Sequence, residues 1–148
     1  MDYAQVFEIS SSGMHVQKTR LEVAAHNLAN ANTVNRADGI PFQPLRVLSR
    51  ATTAVRADGA SFSAIMDGNR LGGAEATLVP DISAAPRLVH EPGHPNADAK
   101  GMVRYPGVNH LEQMMTITEA LRAYEANVAA LQATKAMAAR ALEIGGNQ

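Results

Sequence analysis

From Asn109 to Ile144 the chain has neither Gly nor Pro, and its apolar residues return at alternating steps of three and four. Met114, Ile117, Leu121, Tyr124, Val128, Leu131, Ala138 and Leu142 fall on one heptad seam, with Lys135 as its polar member. Ala, Leu, Met, Gln, Glu and Arg dominate the stretch, all strong helix formers. Asn109 is placed to cap the first turn, Glu112 three residues on can reach back to it, and Gly145-Gly146 suits a left-handed stop. Glu112 near the start and Arg140 near the end both complement the helix dipole. The pattern predicts a single helix on the order of 50 Å long, at about 1.5 Å per residue. A stripe that narrow on a helix that long needs partners beyond a compact monomer.

A weaker seam runs from Asp2 to Ala31. Phe7, Met14, Leu21 and Leu28 share one heptad position, while Tyr3, Ser10, Gln17, Ala24 and Ala31 share the other. Ser10-Ser11-Ser12-Gly13 lowers helix propensity, the glycine alone by roughly 1 kcal/mol against Ala. The first turns are therefore expected to gain order in a complex. Between the seams the period changes. Asn32-Thr33, Asp38-Gly39, Pro41 and Pro44 supply turn chemistry, and short strands are expected at Leu45 to Ser49, Thr53 to Arg56, Ser61 to Met66, Ala76 to Val79 and Arg87 to His90. A loop rich in Pro and Gly from Glu91 to Gly101, then Pro106-Gly107, leads into the long helix. The expected fold is mainly α with a small β region, its terminal helices pairing as a coiled-coil-like arm. It divides into an N-terminal helical arm (1–31), a small β-rich middle with loops (32–108) and a long C-terminal helix (109–148).

Composition narrows the function. In 148 residues, aromatic content of 4% and no Trp leave few large anchors for a core, so much of the 46% hydrophobic fraction is small side chains. A net charge of −1, with Lys and Arg scattered, argues against nucleic acid as a partner. The absence of Cys removes disulfides and thiol catalysis. The N-terminus lacks the basic and apolar segments of a cleaved secretory signal.

Candidate chemistry is sparse. His90 and His94, with Glu91 and Asp98 nearby, form the one cluster of metal-ligand character, but a strand residue and a Gly-His-Pro turn residue need not converge. Glu112, Glu119 and Glu125 read as charges on a solvated helix face, and Ser10 to Ser12 with His15 lack an orienting carboxylate. Asn27 and Asn30 stand out at the end of the first helix, three residues apart on one face, able to cap it or to bond across an interface.

These asparagines lie in Arg20-Leu21-Glu22-Val23-Ala24-Ala25-His26-Asn27-Leu28-Ala29-Asn30-Ala31-Asn32-Thr33, which resembles the N-terminal signature of the bacterial flagellar rod and hook protein family. Arg122-Ala123-Tyr124-Glu125-Ala126-Asn127 is similar to that family's C-terminal signature. The loop Pro92-Gly93-His94-Pro95-Asn96-Ala97-Asp98, with Lys100-Gly101 and Val103-Arg104-Tyr105-Pro106, resembles its proximal-rod members. Gly107, His26 and Met102 depart from the residues usual there.

The resemblance implies a non-enzymatic structural subunit of the basal-body rod, with no cofactor and no small-molecule substrate. It implies export without cleavage through the flagellar type III apparatus, and polymerisation in the periplasm with other copies and neighbouring rod proteins. Terminal helices would form the inner tube of this torque-transmitting drive shaft. The expected subunit-contact residues are Leu21, Asn27, Leu28 and Asn30 in the first arm and Met114, Leu121, Tyr124, Val128 and Leu131 in the second. The alternative is a periplasmic metal-binding or hydrolytic module using His90 and His94.

Overall fold

The computed structural model describes residues 3–34, 42–52 and 72–145. Among them the order is helix α1 (Tyr3–Ala29), strands β1 (Leu45–Ala51), β2 (Ala74–Pro80), β3 (Arg87–His90) and β4 (Met102–Tyr105), and helix α2 (His110–Gly145). Two long terminal helices thus enclose small sheets, as the periodicity predicted. The strands expected at Thr53 to Arg56 and Ser61 to Met66 lie outside the described residues. β4 was not anticipated: Met102 to Tyr105 is too short to show a period, and it becomes a strand through its neighbour β3.

Helix α2 begins where its cap chemistry places it. The Asn109 side-chain oxygen accepts from the amides of Leu111 (3.1 Å) and Glu112 (3.4 Å). At the other end Gly145 is the last helical residue, and Gly146, the other half of the expected stop, lies outside the described residues; Gly101 is the one described glycine with positive φ. The serine run does not interrupt α1. Ser12 donates to the Ile9 carbonyl (2.8 Å) and accepts from the amide of Ala74 (2.9 Å), so its hydroxyl ties the helix to β2.

The chain forms two compact units, Met1–Thr19 with Ser49–Thr77 and Ala120–Gln148, and Arg20–Leu48 with Leu78–Glu119. In the first, Ser10 and Val16 of α1 and Ala120 and Thr134 of α2 are buried. The helices meet at Gly13, where an added Cβ would stand 3.1 Å from Nδ2 of Asn127. Thr52, just past β1, donates from its amide and its hydroxyl to the Gly73 carbonyl, both at 2.8 Å.

In the second unit the core holds Val23, Ala24 and Ala31 with Phe42 and the fully buried Val103. His26 stands against the Phe42 ring, centroids 5.5 Å apart. β3 and β4 pair antiparallel, Arg87 opposite Tyr105 and His90 opposite Met102. The backbone near Gly107 comes so close to Ala84 and Ala85 that a Cβ there would collide with the Ala85 carbonyl, so a side chain at this position demands backbone movement.

Candidate functional site

The helix faces decide what is available to a partner. On α2 the residues that are buried or half-buried are Gln113, Thr116, Ile117, Ala120, Ala123, Asn127, Val128, Leu131, Thr134 and Ala138. This face shares Ile117, Val128, Leu131 and Ala138 with the heptad seam read from the sequence and departs from it elsewhere. Gln113, Ala120, Asn127 and Thr134 recur seven residues apart, each directly before Met114, Leu121, Val128 and Lys135. Two heptad rows therefore lie side by side, one small and polar, the other mostly large and apolar, and the chain buries the small one. Small residues let backbones approach closely, and Thr134 satisfies its buried hydroxyl by donating to the Ala130 carbonyl (2.9 Å). The spacing of the small row was the signal in the sequence for this face.

The large row is left outside. Met114 is 57% exposed, Leu121 46% and Tyr124 40%, with Leu142 exposed beyond them. Val128 and Leu131 are half-buried. On α1, Leu21 and Leu28 are half-buried, whereas the buried positions include Val16 and Val23, which the two-row reading of this helix passed over.

The two asparagines have intrachain tasks. Asn30 donates to the His26 carbonyl (2.9 Å) and its own carbonyl accepts from the Thr33 amide (3.0 Å), which ends α1. Asn27 is only 2% exposed. Its Oδ1 accepts from the Leu45 amide (2.9 Å) and its Nδ2 donates to the Leu45 carbonyl (2.7 Å), the pair of bonds an opposing strand residue would make. Nδ2 also donates to Oε1 of Gln113 (3.2 Å). One buried carboxamide thus ties α1 to the start of β1 and to the first turns of α2 inside the second unit.

The hairpin loop is built from its own bonds. The Glu91 amide donates to the Gly101 carbonyl (2.8 Å), and Gly101 takes a φ of +71° that its missing side chain permits. Asp98 accepts from the amides of Lys100 (2.8 Å) and Met102 (2.9 Å); these donors, with Arg104 adding attraction, hold its carboxyl below the usual range. The Tyr105 hydroxyl donates to Glu91 (2.8 Å), which raises the phenol above its ordinary value, and Arg87 lies 5.4 Å over the same ring. His94 accepts from the Asn96 amide (3.1 Å), while His90 is exposed on β3. Glu91, His94 and Asp98 therefore serve the loop itself, and among the described residues no group of three or more His, Cys, Asp or Glu is arranged to hold a metal.

Comparison with known proteins bears on a surface of this kind. The family profile described as flagella basal body rod protein matches residues 7–35, and that of the flagellar basal body rod FlgEFG protein C-terminal matches 99–144. The chain is 35% identical to the flagellar basal-body rod protein FlgC of Yersinia enterocolitica, over 98% of this chain and 99% of the relative. It belongs to the FlgC family of flagellar basal-body rod proteins. The FlgC of Escherichia coli O157:H7 is 36% identical over the same shares, and that of Bacillus subtilis 33% identical over 93% of this chain and 94% of the relative. The family is one of structural proteins of the flagellar rod, which accords with a chain whose most distinctive feature is an exposed apolar helix edge.

Proposed function

We propose that the chain is a non-catalytic building unit of the rod, packed side by side with other copies and neighbouring rod proteins along its terminal helices. The observation that carries this reading is the large half of the α2 seam, Met114, Leu121 and Tyr124, left exposed while the small row beside it is buried. A contiguous apolar edge on a soluble chain marks an interaction site. Val128 continues the edge at half-burial, Leu131 of the inward face adds what it leaves uncovered, and Leu21 and Leu28 supply the counterpart on α1. Asn27 and Asn30 act from within, holding the elements that carry these residues. Neighbouring helices would complete the coiled-coil-like packing that the lone chain leaves half made. Contacts that are heterologous and do not close would extend as a helical filament and transmit torque through many packed side chains. Delivery to the periplasmic rod through the type III export apparatus, without cleavage, belongs to the same reading.

Leu121 gives the clean test because it is 46% exposed before assembly, so a charge there spares the chain's own core. Cells carrying Leu121→Asp are expected to make and export the protein yet build no rod and not swim. Glu119→Gln cells swim, since an ordinary surface change shifts stability within about 0.5 kcal/mol. Leu131→Asp, at a half-buried position, fails as well and loses chain stability too. Leu121→Asp protein found in intact rods at normal levels would show that this edge is not the assembly surface.

A further inference from the structure

Two heptad rows lie next to each other on α2, and the row that is buried is the one with less to gain from burial. Gln113 is turned inward in the second unit while Met114, its neighbour about 100° round the helix, is 57% exposed. By hydrophobic transfer alone the opposite rotation is favoured, since burying a Met side chain is worth about 1.5 to 3 kcal/mol. Something specific must hold α2 in the rotation observed. The inward position of Gln113 is marked by a single directional contact, the bond from Nδ2 of Asn27 to its Oε1 at 3.2 Å. Asn27 is 2% exposed and is itself fixed by both of its bonds to Leu45, which aim its Nδ2 donor independently of α2.

We propose that Asn27 and Gln113 form a register lock: the bond from the buried Asn27 to the half-buried Gln113 fixes the rotation of the first turns of α2 in the second unit and so keeps Met114 turned outward. A single buried polar residue can specify register between helices at some expense in stability. Asn fits the role at 27 because one short side chain must present both an acceptor and two N–H donors. Asp lacks the donors and Gln is a methylene too long. At 113 the requirement is an acceptor, which Glu meets and Ala does not. The lock rests on the reading that the outward row carries assembly, but its direct consequence is read on the unassembled chain.

The chain has no Cys, so Met114→Cys places a lone thiol on the outward row. In the full-length Met114→Cys protein the thiol is expected to label at nearly the rate of an exposed cysteine, and to keep that rate when Gln113→Glu is added. Adding Gln113→Ala or Asn27→Leu removes the bond, and labelling slows about tenfold as position 114 turns inward. Gln113→Ala and Asn27→Leu, with Met114 restored, are expected to be exported but missing from rods, while Gln113→Glu enters them. Labelling that is unchanged or faster with Gln113→Ala overturns the lock, because a lesion that merely loosens the fold exposes the thiol instead of hiding it. Slow labelling together with normal assembly of Leu121→Asp would instead leave the lock standing and remove the assembly surface.

Discussion

The residues of this chain that look most chemical are absorbed by local structure. Asp98 sits in the run that resembles proximal-rod proteins, beside two histidines, yet its carboxylate closes a turn by accepting from Lys100 and Met102. Because those bonds favour the ionised form, its folded pKa is depressed. The contribution is complete above the ordinary carboxylate pKa and disappears as pH falls through the lower folded value. In an NMR titration the Lys100 and Met102 amides are expected to move together, with a midpoint below about 3.9, and Asp98→Asn should keep the turn while abolishing the titration. A midpoint at or above that value would contradict the bonding described.

At the scale of elements, closeness between helices depends on what is missing. Gly13 lies mid-helix, where Ala would be favoured by about 1 kcal/mol, and the atom its Cβ would crowd is the far end of a rotatable amide, Nδ2 of Asn127 at 3.1 Å. Gly13→Ala is therefore expected to raise the urea midpoint, by up to about 1 kcal/mol in stability. Gly13→Leu cannot be accommodated by turning one amide and should cost about 1 to 3 kcal/mol by forcing the helices apart. A loss with Ala as large as that with Leu would mean that the contact tolerates no Cβ at all. The β3–β4 hairpin is held differently, by the buried Val103 and by its loop's own hydrogen bonds.

Over the whole molecule, order is spread unevenly. Residues 139–145 of α2 are all exposed, and Leu142 and Ile144 are uncovered among the described residues. A helix end without a packed face has little to offset roughly 1 to 2 kcal/mol of backbone entropy per residue. Trypsin is expected to cut dilute protein after Lys135 and Arg140 before it cuts after Lys100, although Lys100 is on a loop, because the Lys100 and Gly101 amides are both bonded to Asp98. Earlier cleavage at Lys100 would place the stable part elsewhere. In assembled rods the helix sites should become resistant.

Sequence alone determined what depends on local chemistry and period. The two helices, the Asn109 cap, strands β1 to β3 in outline and the family signatures were legible because each is written in neighbouring residues. The large apolar row on α2 was legible too, since periodicity records which side chains share a face; the small polar row beside it is singled out only once the helix is packed. Which row faces inward was not legible. Two adjacent heptad rows fit the same helix, and the choice between them is made by a bond from Asn27 to Gln113, residues far apart in the chain. β4 and the close approach at Gly107 belong to the same class, for they exist only through a partner strand or loop that folding brings alongside. A periodic pattern specifies faces; only the packed chain, by satisfying a buried amide at one rotation of the helix, decides which face is left exposed.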